Sequence, residues 1–77
     1  MDIKVRFFAS LRDIMGRAND EVSFDKDEVT VAELWSKLSD TAMPDSILVA
    51  VNMEYTDAAH VIKPGDEVAF FPPVTGG

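Results

Sequence analysis

The chain has 77 residues, 14 of them acidic and 7 basic for a net charge of −7, and it contains no cysteine. A domain of this size buries about 60 to 65% of its unfolded surface and has little room for a deep catalytic cavity. The missing cysteine excludes disulfides, thiolate metal sites, an iron–sulfur cluster and a cysteine nucleophile, and the acidic balance argues against nucleic acid and for a basic protein surface as partner. No apolar run approaches the roughly 20 residues needed to cross a bilayer, and no basic-then-apolar signal pattern opens the sequence. A cytoplasmic protein without a membrane role is expected.

Ile3, Val5 and Phe7 alternate with Lys4, Arg6 and Phe8, which predicts a strand with one apolar face. Leu11, Ile14 and Met15 follow Ser10 at helical spacing with Gly16 as a stop, predicting a helix of one or two turns. Glu21 to Phe24 alternates again as a second strand and ends in the polar stretch Asp25 to Glu28. Thr30 with Glu33 three residues on is a capping box, and Val31, Leu34, Trp35 and Leu38 then trace one helical face. Trp35 on that face reads as core packing rather than a ligand platform. After Pro44, the apolar run Ile47 to Val51 predicts a strand inside a sheet, and Asn52 begins the exit turn. Lys63-Pro64-Gly65-Asp66 is turn chemistry, and Glu67 to Phe71 is the final strand. Two early strands, a main helix and two late strands fit an α+β sheet with the helix laid across one face.

Several residues that often carry chemistry are read as ordinary. Asp25, Asp27 and Glu28 lack the ordered spacing of a calcium loop. His60, the single histidine, lies in a loop-like stretch with no nucleophile or orienting partner in view. No phosphate loop of the G-x-x-x-x-G-K-[ST] type is present, so the chain is not expected to activate itself with ATP.

The sequence closes on Gly76-Gly77 directly after Phe70-Phe71-Pro72-Pro73-Val74-Thr75. Two prolines forbid helix and further ladder pairing, so the stretch beyond Phe71 is expected to project as an arm reaching on the order of 20 Å at about 3.3 Å per residue. Glycine at the tip keeps that arm slim, and a terminal carboxylate on Gly77 is the candidate functional group. Period two places Phe8, Ala69 and Phe71 on the sheet face away from the helix. An exposed aromatic pair there reads as a docking patch; the bland alternative tucks one ring under a loop.

Val5-Arg6-Phe7-Phe8-Ala9, Ala50-Val51-Asn52 and, above all, Gly65-Asp66-Glu67-Val68-Ala69-Phe70-Phe71-Pro72-Pro73-Val74-Thr75-Gly76-Gly77 resemble the small-subunit family of molybdopterin synthase, sulfur carriers of the ubiquitin-like β-grasp fold. The likeness spans the whole chain, and Ser36 to Ser46 departs from the family pattern. It implies a single β-grasp domain over 1–77, a mixed sheet whose first and last strands are neighbours, and 72–77 as an extended tail. It further implies that Gly77 is adenylated by an E1-like adenylyltransferase, converted to a thiocarboxylate with sulfur from a donor protein, and inserted into the large subunit of molybdopterin synthase in a heterotetramer. There the sulfur goes to the pterin precursor of molybdenum cofactor. Pro72, Pro73, Val74, Thr75 and Gly76 would thread the partner's channel, while Phe8, Phe71 and Ala69 would dock. No bound cofactor or metal is implied, and the activating partner consumes the ATP. The alternatives are a thiamine-pathway sulfur carrier, a ubiquitin-like modifier joined to protein lysines, and a plain interaction domain with a frayed end.

Overall fold

The structure, a computed structural model, describes residues 1–73, so the expectations for Val74, Thr75, Gly76 and Gly77 lie outside the described residues. In chain order the elements are β1 (Asp2–Phe7), α1 (Ser10–Met15), β2 (Asn19–Ser23), β3 (Val29–Thr30), α2 (Val31–Leu38), β4 (Leu48–Val51), β5 (Glu54–Thr56), β6 (Val61–Ile62) and β7 (Glu67–Phe71). Five strands form a sheet in the order β2-β1-β7-β4-β5, and β3 pairs with β6 in a separate ribbon. β1 and β7 run parallel at the centre, with Phe7 opposite Phe70, while the other pairs are antiparallel.

One face of this sheet holds the core. Ile3, Val5 and Phe7 from β1, Val49 and Val51 from β4, and Val68 and Phe70 from β7 pack against Val31, Leu34 and Trp35 of α2. Phe70 is fully buried, with the Trp35 ring edge-on to it at 5.1 Å between centroids. The indole Nε1–H of Trp35 donates to the carbonyl of Thr41 at 3.0 Å, so the large side chain enters the core with its polar atom satisfied. That bond also ties down the chain leaving α2.

α2 begins as the sequence predicts. The Thr30 hydroxyl accepts from the Glu33 N–H at 3.2 Å, and the Glu33 carboxylate accepts from the Thr30 N–H at 3.3 Å. The Lys26 ammonium against Glu33, and then the Thr30 N–H, hold the Glu33 carboxyl below its ordinary pKa.

α1 departs from its expected form. Ala9 occupies the N-cap, with φ 52° and ψ −131° and no side-chain cap. Leu11 is buried and Met15 half-buried, but Ile14 is 73% exposed, because a six-residue helix turns only a narrow face to the sheet. Gly16 ends α1 with φ 76°, the left-handed position that glycine takes without steric penalty.

Three short strands, β3, β5 and β6, fall where the sequence shows loops, and β2 begins at Asn19 rather than Glu21. At two or three residues each, β3, β5 and β6 are too short for alternation to register. No helix among the described residues is long and apolar enough to cross a membrane.

Candidate functional site

The remaining face of the sheet is built by the same period-two rule that builds the core. When Val68 and Phe70 point inward, Ala69 and Phe71 point outward; when Phe7 points inward, Phe8 points outward. Parallel pairing of β1 with β7 then brings the two outward aromatics together. Phe8 N–H donates to the Phe70 carbonyl at 3.1 Å, and the Phe8 and Phe71 rings stack with centroids 4.7 Å apart and planes 9° from parallel. Phe8 is 38% exposed, and Phe71 is half-buried. The structure therefore brings Phe8, Phe71 and Ala69 onto one face, with the two rings against each other.

Sequence reasoning missed the rest of this face. Tyr55 on β5 lies 6.0 Å from Phe71 between ring centroids, Leu48 stands opposite Phe71 in the β4–β7 ladder, and Met53 at the tip of the β4–β5 turn is 97% exposed. Phe8, Phe71, Tyr55 and Met53 surround a shallow recess of about 220 Å³ over Ala50 and Ala69. A usable signal was the unbroken apolar run through β4. Val49 and Val51 account for its inner face, so Leu48 and Ala50 required a second apolar face. Tyr55 was hidden because the turn before it, Asn52-Met53, has φ 52° and 71° without a glycine to announce it.

Where the face meets the chain's exit, β7 stops. Pro72 lacks the N–H to continue the ladder, and Pro73 is exposed. Pro72 and Pro73 thus leave from the Phe8 end of the central strand pair, beside the stacked rings. At the opposite end of β7, Asn52 locks two turns together. Its Nδ2 donates to Asp66 Oδ1 at 2.9 Å, its Oδ1 accepts from Glu67 N–H at 3.1 Å, and Asp66 Oδ2 accepts from Lys63 N–H at 2.9 Å. The Lys63 N–H, with further help from Asn52, holds the Asp66 carboxyl below its ordinary pKa, against a smaller opposing push from burial.

No cluster of three or more His, Asp or Glu side chains suited to a metal occurs among the described residues. His60 is half-buried, and its backbone carbonyl accepts from Val31 N–H at 3.0 Å. The chemical resources of the described face are apolar area, aromatic edges and a few flanking charges. Apolar area with aromatic edges and a polar rim is the composition of a protein-docking surface.

A five-stranded mixed sheet with parallel central strands and one main helix across it defines a ubiquitin-like β-grasp domain. The chain belongs to the ThiS family, which it matches over residues 5–77. It is 42% identical over 80 residues to the molybdopterin synthase sulfur carrier subunit of Escherichia coli (strain K12), covering 97% of this chain and 99% of that one. Among solved structures it is similar to SAMP1 from Haloferax volcanii, at a TM-score of 0.83 and 29% identity with both chains fully covered. The fold is also that of a chain in the complex of subunits 1 and 2 of molybdopterin-converting factor from Helicobacter pylori 26695, at a TM-score of 0.69 and 24% identity with both chains fully covered.

Proposed function

We propose that this chain is the sulfur-carrier subunit of molybdopterin synthase, a co-substrate protein rather than a free-standing catalyst, acting in the cytoplasm. Gly77 carries the sulfur. A carboxylate is a poor electrophile because its charge is delocalised, so it must first be joined to a good leaving group before sulfur can replace that group. An E1-like adenylyltransferase supplies this activation from ATP, and a sulfur-donor protein supplies the sulfur. The thiocarboxylate so formed is ionised and nucleophilic at neutral pH, as thiolates of lowered pKa are. Pro72, Pro73, Val74, Thr75 and Gly76 then lead it into the large subunit, where the pterin precursor takes the sulfur.

The observation that carries this reading is the Phe8–Phe71 stack at the root of the exit from β7. A flexible arm alone loses affinity when it is ordered, whereas an arm rooted in a docked patch is presented at high effective concentration. Match over nearly the full length of the Escherichia coli carrier supports the same assignment.

A second reading has its own support, since SAMP1 from Haloferax volcanii, a modifier by the name of its solved relative, shares the fold over the whole chain. Intact mass spectrometry of the protein drawn from its own cells separates the two. A thiocarboxylate on Gly77 supports the carrier, a lysine adduct supports the modifier, and an unaltered carboxylate supports neither. Pathway is tested with purified enzymes: the thiocarboxylated chain is expected to yield molybdopterin with the large subunit and no thiazole with the thiamine enzyme.

A further inference from the structure

Basic residues number 7 in this chain, yet two of them stand together at the edge of the docking face. Arg6 points outward from β1 with its side chain 58% exposed, and its Nε lies 3.9 Å from Glu67 Oε1, the outer limit of an ion pair. Arg12, exposed on α1, makes no ion pair among the described residues. Together with Phe8 and Asn19 they line a notch of about 230 Å³. Arg17 differs from both. Its Nε sits 2.9 Å from Asp20 Oδ2, it donates to the Met15 carbonyl, and its guanidinium lies over the Phe7 ring at 5.4 Å from the centroid.

The backbone at Ala9 is what brings Arg12 back beside Arg6. With φ 52° and ψ −131°, Ala9 occupies a region that residues with a Cβ enter only at a cost of about 1–3 kcal/mol. The chain reverses there, and Leu11 and Arg12 N–H donate to the Phe8 and Ala9 carbonyls at 3.1 Å each. Unfavourable backbone thus falls directly after the docking aromatic, and it delivers an arginine next to that ring.

We infer that Arg6 and Arg12 receive a carboxylate side chain of the large subunit that docks on the Phe8–Phe71 face. Two guanidinium groups offer planar, paired donors suited to a carboxylate. A charge at the rim of an apolar patch acts on encounter rate and register more than on the lifetime of the complex. This local sign is opposite to the chain's net charge, so a partner otherwise basic must carry an acid at this one place. The inference rests on the carrier function proposed above.

Association of the full-length chain with the purified large subunit, followed by stopped-flow at low and high salt, tests it. Arg12→Glu and Lys37→Glu change the net charge equally, but Lys37 lies on α2 across the sheet, against Phe24. Arg12→Glu is expected to slow association about fivefold at low salt with little change in dissociation, and Arg12→Gln to give a smaller loss. Lys37→Glu should leave the rate unchanged or raise it. Near 1 M salt, where screening acts within about 3 Å, the differences should vanish. Equal shifts for Arg12→Glu and Lys37→Glu overturn the inference, because the partner then reads only net charge. Should Arg12→Glu fail to fold, an Arg12→Gln chain that associates as fast as the wild type overturns it instead. A wild-type chain that binds no large subunit overturns the carrier function itself, and this inference with it.

Discussion

Ala50 and Ala69 stand directly opposite each other in the β4–β7 ladder, and their methyl groups floor the recess between Phe8, Phe71 and Tyr55. Small side chains at the centre of an apolar face leave a hollow that a partner side chain can fill. Ala69→Leu is expected to fill it instead. Because Ala69 is half-buried and borders an open recess rather than the packed core, the unfolding free energy should stay within about 0.5 kcal/mol of the wild type. Affinity for the large subunit should fall by about 1–3 kcal/mol, the range of overpacking in a well-fitted contact. Titration calorimetry beside chemical unfolding measures both.

The neighbours Phe70 and Phe71 should separate stability from binding. Phe70 is fully buried under Trp35, and Phe70→Ala should cost about 3–5 kcal/mol of folding stability, a large part of the roughly 4–12 kcal/mol expected for a domain of this size. Phe71→Asp or Phe8→Asp should cost the isolated domain much less and weaken binding to the large subunit by about 2–4 kcal/mol, as interface hot spots do. Thermal unfolding of each variant beside its binding isotherm decides. Collapse of the fold in Phe71→Asp would make that ring a core residue.

This separation of faces is also the part of the structure most legible in the sequence. Alternation in β1 and β7 assigned Phe7 and Phe70 to one side and Phe8, Ala69 and Phe71 to the other, and the capping box at Thr30 and Glu33 placed the start of α2 at the right residue. What alternation does not encode is pairing. That β1 lies beside β7, which makes Phe8 and Phe71 touch, came from family resemblance and not from spacing. β5 was lost because Asn52 and Met53 turn the chain without glycine, and with it went Tyr55 and half of the outward aromatic face. Ile14 misled in the other direction, since helical spacing promised a buried face wider than six residues of α1 can supply.

Ala9 gives a prediction of opposite sign from most substitutions. Glycine has no Cβ to clash at φ 52° and ψ −131°, so Ala9→Gly should raise the unfolding free energy by about 0.5–1 kcal/mol, after the extra entropy of glycine in the unfolded chain is allowed for. Urea unfolding checks this. A loss of stability would mean that the reversal after Phe8 carries no strain.

Acid should act through the lock at the far end of β7. The Asp66 carboxyl has its pKa lowered in the folded state by the Lys63 N–H first, with help from Asn52. A group depressed on folding contributes stability above its unfolded pKa, near 3.9, and loses that contribution as pH falls through the lower folded value. Asp66→Asn should therefore be less stable than the wild type at neutral pH, and the gap should narrow as pH drops below about 4. Thermal unfolding at a series of pH values measures the gap. A gap independent of pH would show that Asp66 acts through shape and not through charge.

The central claim is that Gly77 delivers sulfur while the β-grasp domain behind it docks. Conversion of the cyclic pterin precursor by purified large subunit, with this chain as the one source of sulfur, tests that claim most directly. Molybdopterin is expected from the thiocarboxylated chain, and none from the carboxylate form or from a chain lacking Gly77 whose unfolding transition matches the wild type. Molybdopterin formed by the shortened chain, or no product from the thiocarboxylated one, would contradict the account.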